Sequence, residues 1–315
     1  MLAATIRDGE IAVEEHPDPE PGAGECLVRI HAAGINGADL LQRRGLYPAP
    51  AGAPELIPGL ELAGVVEGCG EGATRFAAGQ KVMAIVGGGG QAELAVVHER
   101  QLMLAPDLPW PQLGGLPEVF GTAYDAIFSQ CGLGPGERLL VHGGAGGVGT
   151  AAIQLGALAG ARVSATVRNE ALHEQVAALG ATVIGPEGFT DAGPFDVILE
   201  LVGAPNLPDD VRALATGGRI VVIGIGAGAK AELNLAALMG KRGSISGSTL
   251  RARPLEEKAA LARRLEAQVL PGIETGRLTV PVAAQFPLAE VSAAYERFAA
   301  GGKLGKIVLE NQSAS

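Results

Sequence analysis

The apolar and polar positions of the chain fall into two textures. Residues 1 to about 113 carry short apolar runs, "CLVRIHAAG" (26–34), "LAGVVEG" (62–68) and "KVMAIV" (81–86), separated by Gly- and Pro-rich stretches. Short runs between turn signals predict a compact, irregular β domain. After "DLPWPQLGG" the pattern changes. "RLLVHG" (138–143), "ARVSATV" (161–167), "ATVIG" (181–185), "FDVILELVG" (195–203), "RIVVIGIG" (219–226) and "GSISGST" (243–249) are apolar runs without clean alternation. Most are separated by helical patterns such as "GVGTAAIQLGALAG", "EALHEQVAALG" (170–180) and "PDDVRALATGG". Parallel strands buried on both faces read this way, so the segment predicts a doubly wound α/β domain of about six strands. Only about ten residues link "ATVIG" to "FDVILE", too few for a full crossover helix. After Leu250 come two helical stretches and a strand, "GKIVLE", expected to pack back on the N-terminal domain.

Composition narrows the function classes. The 315 residues are about two domains' worth, and 47% hydrophobic with 18% charged residues reads as globular. The net charge is -10 and no basic run exceeds two residues, which disfavours nucleic-acid binding. Cys26, Cys69 and Cys131 are odd in number and form no C-x-x-C pair, so they read as buried thiols in a reducing cytosol. The N-terminus lacks a basic-then-apolar leader and no apolar run reaches spanning length, so a soluble cytoplasmic protein is expected.

The candidate chemistry lies in "HGGAGGVGTAAIQ" (142–154). Gly144, Gly146 and Gly149 satisfy G-x-G-x-x-G, but with 48 glycines about one such match per chain arises by chance. Context decides: a strand precedes the loop and a helix follows it. Such a loop has a tight turn, backbone close to a pyrophosphate and a helix N-terminus facing the phosphates. Gly144, Ala145, Gly146, Gly147 and Val148 are the expected cradle. A carboxylate about 20 residues on would bind the ribose 2′-hydroxyl. "ATVRNE" instead offers Val167 or Arg168, with Asn169 beside it, and a guanidinium suits a 2′-phosphate. The cofactor expected is NADPH.

Several stretches together resemble a family. "AAGINGADLLQRRGLYP" (32–48), "IPGLELAGVVEG" (57–68), "LPEVFGTAYDAIF" (116–128), the glycine loop, "NLAALMGKRGSISGSTLRARPLEEKAAL" (234–261) and "GKLGKIVLE" (302–310) are similar to the zinc-independent quinone oxidoreductases. These zeta-crystallin-like enzymes belong to the medium-chain dehydrogenase/reductase superfamily, and the p53-inducible type is the nearest in look. The resemblance implies a GroES-like catalytic domain (1–113, returning over 251–315) split around a Rossmann NADPH-binding domain (114–250). It implies a homodimer and a small-molecule quinone substrate. It places Asn36 and Tyr47 at the catalytic site, and Asn36, Thr122, Val202, Gly224, Ser248, Leu250 and Lys306 against the cofactor. Where zinc-dependent relatives have a cysteine and a histidine, this chain has Asn36 and Leu60; Glu118 falls near the third ligand position. One carboxylate does not make a zinc site, so no metal is expected. Gln91 and Leu94 replace common tyrosines, implying a roomier pocket, and Gly146 stands where near relatives often carry serine.

Two alternatives accompany the quinone reductase reading: an NADPH-dependent enone or enoyl double-bond reductase, and a non-catalytic dinucleotide-binding protein. The five histidines, His16, His31, His98, His142 and His173, show no metal spacing and read as structural or surface residues. No G-x-S-x-G elbow supports a hydrolase.

Overall fold

The computed structural model describes residues 1–311, so the last four residues of the expected return segment, 312–315, lie outside the described residues. The chain forms two compact units. One comprises Met1–Gly121, Leu250–Gly301 and the chain from Lys306 on; the other comprises Thr122–Thr249 and Gly302–Gly305.

The first unit opens with an antiparallel hairpin, β1 (Leu2–Arg7) and β2 (Glu10–Glu15), turned at Asp8 and Gly9, both at positive φ. The long strand β3 (Glu25–Ile35) alternates in burial over its first half and is then buried continuously from Ala32 to Ile35. A one-strand-thick sheet gains a core only on its covered face, and Cys26, Val28 and Ile30 supply that face here. Next come α1 (Gly37–Arg43), β4 (Glu61–Cys69), β5 (Lys81–Ile85), β6 (Leu94–His98), β7 (Met103–Leu104), α2 (Trp110–Gly114) and α3 (Pro117–Tyr124). Cys26 and Cys69 are register partners on β3 and β4, with Cα atoms 4.0 Å apart, and form a disulfide. This corrects the expectation of free thiols there: register brings together two cysteines 43 residues apart, which spacing alone does not reveal. Cys131 is free and buried.

In the second unit α3 passes into a π-helical run, Asp125–Gln130. There follow β8 (Arg138–Val141), α4 (Gly147–Leu158), β9 (Arg162–Thr166), α5 (His173–Ala177), β10 (Ala181–Ile184), β11 (Phe195–Glu200), α6 (Leu207–Ala213), β12 (Leu214–Val222), α7 (Leu235–Lys241) and β13 (Ser244–Gly247). The six strands are parallel in the order β10-β9-β8-β11-β12-β13, the doubly wound order of dinucleotide-binding sheets. Leu139, Leu140, Val141, Val197, Ile198 and Leu199 are fully buried, which explains the uninterrupted apolar runs. Between β10 and β11 only a 3₁₀ turn, Phe189–Ala192, occupies the short link.

The chain returns to the first unit as α8 (Leu255–Gln268), α9 (Leu270–Glu274), β14 (Val282–Pro287), α10 (Val291–Ala299) and β15 (Lys306–Glu310). β15 inserts between β14 and β3, giving the order β14-β15-β3-β4-β5-β7, with β6 also on β3. Insertion there carries Lys306 to the end of β3, beside Asn36.

Candidate active site

The glycine loop leaves β8 at Val141 and enters α4 at Gly147, with Gly146 in extended backbone as the helix N-cap. Two of its glycines are required by packing. A Cβ on Gly144 would lie 2.8 Å from Ala165 Cβ, and one on Gly149 would meet the Gly143 carbonyl and lie 2.9 Å from Gly144 Cα. A Cβ on Gly146 would meet only the Gly143 carbonyl, at 3.4 Å. The first turn of α4 leaves the amides of Gly147, Val148 and Gly149 without intrahelical acceptors, and no side chain caps them. An anion fits there, favoured by the amides and by the helix dipole. The segment Gly302–Gly305 lies on this loop: Gly305 N–H donates to the Ala145 carbonyl at 2.8 Å, and Gly305 bridges Gly146. Lys303, on the same segment, donates from Nζ to the Gly305 carbonyl at 2.7 Å.

Other expected contacts gather at the carboxyl ends of the same strands. Arg168 and Asn169 follow β9 and are exposed; Arg168 makes no ion pair among the described residues. Asn169 Oδ1 accepts from Ala171 N–H at 3.1 Å, so its amide N–H₂ remains for a ligand. Val202 follows β11, Gly224 follows β12 and Ser248 follows β13. Ser248 Oγ donates to Asp125 Oδ2 at 3.1 Å, which ties the end of β13 to the π-helical run just after Thr122.

In the first unit the chemistry is a buried polar cluster. Lys306 Nζ donates to the Ile35 carbonyl (2.8 Å) and to Asn36 Oδ1 (2.7 Å), and stands 2.7 Å from Glu61 Oε1. Asn36 Nδ2 donates to the same Glu61 oxygen at 2.9 Å, while Glu61 Oε2 accepts the Glu118 N–H at 2.9 Å. Lys306 and Glu61 are 3% and 0% exposed. Two opposite charges so placed are a buried pair, and removing either strands the other. Gly34 leaves them room: a Cβ there would lie 2.8 Å from Lys306 Cε. Asp39 accepts from the amides of Asn36 (2.8 Å) and Gly59 (3.2 Å) and from Gln91 Nε2 (3.2 Å). Burial outweighs these donors and pushes its carboxyl up to about 6.

Tyr47 is half-buried and held from behind by Arg251, which is 3% exposed. The Arg251 guanidinium donates to the carbonyls of Tyr47 (2.8 Å) and Gly87 (2.7 Å) and to Gln42 Oε1 (2.6 Å), and lies 5.1 Å from the centre of the Tyr47 ring. Leu250 is buried and lines a small cleft with Ile85, Met103, Leu261 and Lys258. Lys306, expected to approach the cofactor, turns its ammonium toward Asn36 and Glu61 in this buried cluster. Glu61, Asp39 and Arg251 were missed. The available signal was a lone charge inside an apolar run, as in "GLELAGVV" and "GKIVLE", since such charges are buried only when paired.

A family model described as an alcohol dehydrogenase GroES-like domain matches residues 22–107, and one described as a zinc-binding dehydrogenase matches residues 179–309. The chain is 31% identical over 304 residues to a quinone oxidoreductase of Rattus norvegicus, covering 92% of this chain and 90% of that protein. The chain belongs to the quinone oxidoreductase family of the medium-chain dehydrogenases/reductases. It is an oxidoreductase with a fold for a nicotinamide cofactor. Among solved structures, an alcohol dehydrogenase superfamily protein from Novosphingobium aromaticivorans superposes with a TM-score of 0.86 at 30% identity, over 99% of this chain and 100% of that one. A phenolphthiocerol/phthiocerol polyketide synthase of Mycobacterium tuberculosis is 32% identical over 312 residues, covering 94% of this chain but 14% of that protein.

Within this family the metal question turns on the residues present. Leu60 is buried and has no donor atom, and Asn36 Oδ1, the amide atom that would ligate a metal, already accepts from the Lys306 ammonium. The Lys306 ammonium lies against Asn36 and Glu61, so a second cation there would face uncompensated repulsion. These residues do not fit a catalytic zinc ion. Gln91 also corrects an expectation. It is 1% exposed, bonded to Asp39 and to the Tyr295 hydroxyl (2.8 Å), so its replacement of a tyrosine does not enlarge an open pocket.

Proposed function

We propose that the protein is a homodimeric, NADPH-dependent quinone reductase that works without zinc. Residues 1–113 and 251–315 serve as its catalytic domain and 114–250 as its NADPH-binding domain. The observation that carries the cofactor choice is the end of β9, where an exposed Arg168, without an ion pair among the described residues, stands beside Asn169 and no carboxylate ends the strand. A guanidinium fork matches a 2′-phosphate, whereas a carboxylate would repel it. Bound NADPH supplies a hydride from its nicotinamide ring. The amides of Gly147, Val148 and Gly149 hold the pyrophosphate, with Gly144, Ala145 and Gly146 shaping the loop. Thr122, Val202, Gly224, Ser248 and Leu250 surround the nicotinamide side. Asn36, fixed by Lys306 and Glu61, orients the nicotinamide ribose, and Tyr47 donates a hydrogen bond to the acceptor's carbonyl oxygen. Without a Lewis acid, positioning supplies most of the acceleration, which suits a quinone because it accepts hydride with little acid assistance.

Steady-state rates of purified protein with 1,2-naphthoquinone and with 2-alkenals, each with NADPH and NADH, test this. Quinone turnover preferring NADPH is expected. Alkenal turnover without quinone turnover would replace it by the second reading, an enone or enoyl double-bond reductase.

A further inference from the structure

Directly behind the glycine loop, in the second unit, lies a buried hydrogen-bonded chain that the proposed chemistry does not use. His142, the residue after β8, is 1% exposed and packs edge-on against Phe189. Its Nε2 is 2.8 Å from Asp210 Oδ1 on α6 and 3.9 Å from Glu200 Oε2 at the end of β11. Its Nδ1 is 3.1 Å from Thr166 Oγ1 at the end of β9, and that oxygen also accepts the Gly143 N–H at 3.2 Å. Glu200 Oε1 takes the amides of Val202 and Gly203, and its Oε2 takes Asn206 Nδ2 at 3.0 Å.

Thr166 Oγ1 thus links the Gly143 N–H to His142 Nδ1, and His142 Nε2 faces Asp210 Oδ1 with Glu200 beside it. One hydrogen-bonded chain runs from Gly143 through Thr166 and His142 to Asp210. In a dry interior such a chain polarises along its length, and any broken link leaves a buried polar group unsatisfied.

The ends it fastens are the ends that form the cradle. Gly143 opens the glycine loop after β8, Thr166 lies two residues before Arg168, and Glu200 holds the amide of Val202. We propose that His142, with Thr166, Asp210 and Glu200, is a positioning hub that holds the ends of β8, β9 and β11 in one geometry for the cofactor. This rests on the NADPH reading for its purpose, although the holding of the strand ends does not.

The test separates the two. In the cofactor-free protein, hydrogen exchange is followed at Gly143, Val202 and Gly203 in wild type, His142→Leu, His142→Gln and Thr166→Val. His142→Leu should speed all three amides about tenfold or more, with amides of β4 and β5 unchanged. His142→Gln, which keeps a donor and an acceptor, should restore most of the protection. Thr166→Val removes only the hydroxyl, so it should expose Gly143 even if His142→Leu fails to fold. In kinetics, His142→Leu should raise KM for NADPH about tenfold and leave KM for the quinone unchanged, again with recovery in His142→Gln. Unchanged exchange at Gly143 in Thr166→Val would overturn the hub. So would one equivalent of metal in the purified protein that is lost in His142→Gln, because the three side chains would then be ligands. If wild type binds neither NADPH nor NADH, the cofactor reading falls while the exchange data still decide the hub.

Discussion

Arg168 has no ion pair among the described residues, so its guanidinium costs little to recruit to a phosphate. Arg168→Ala is expected to lower kcat/KM for NADPH by about tenfold to a hundredfold, the worth of a charge-assisted bidentate contact, and to leave NADH unaffected. Equal losses with both cofactors would remove Arg168 from 2′-phosphate recognition. Asp39 makes the opposite case, a carboxyl held by the interior. Burial raises it to about 6, above its value of about 4 in an unfolded chain. A raised carboxyl favours the fold below the unfolded value, and that contribution is lost as pH rises through about 6. Denaturant unfolding from pH 4 to 7 should therefore show wild type losing up to about 3 kcal/mol relative to Asp39→Asn. Parallel stabilities across that range would reject the assignment. The sequence marks Gln91 only as a replacement for a tyrosine and Asp39 not at all, because their hydrogen bond joins α1 to a residue 52 positions away.

At the scale of elements, β8, the glycine loop and α4 were readable because strand, turn and helix signals coincide. The packing distances now divide the three glycines. Gly149→Ala places a methyl against Gly143 and Gly144 and is expected to destabilise by about 1–3 kcal/mol and weaken NADPH binding. Gly146→Ser meets only the Gly143 carbonyl, at 3.4 Å, and is expected to fold and bind normally. Thermal unfolding and cofactor titration of the two variants check this, and equal damage from both would refute it. Helix ends were read less well. The pattern predicts one helix over 170–180, where a 3₁₀ turn capped by Asn169 precedes a short α5, and Gly180 at φ 109° ends the segment. The helix predicted to run to Gly218 stops at Ala213, because Leu214 pairs with Phe195 and starts β12. Pairing with a neighbouring strand overrides local helix preference there.

For the whole molecule, β13 ends the six-stranded sheet with one edge unpaired among the described residues, and Leu235 and Met239, one helical turn apart on α7, are 64% and 75% exposed. An open strand edge and an apolar stripe of the second unit support pairing of two copies. Light scattering is expected to read about twice the 31.8 kDa chain mass, and Ser246→Pro to shift it toward one copy. A wild-type monomer would refute the homodimer. The order of apolar runs by itself determined the two textures, the parallel sheet and its glycine loop, because period, strand length and turn residues are local properties. Motifs spread in order along nearly the whole chain indicate the family. Only the tertiary structure decided that Cys26 meets Cys69, that Lys306 points at Asn36 and Glu61, and that His142 stands between Thr166 and Asp210. Those pairs form by strand register and crossover, which bring together residues from 24 to 270 positions apart. No local pattern carries such distances.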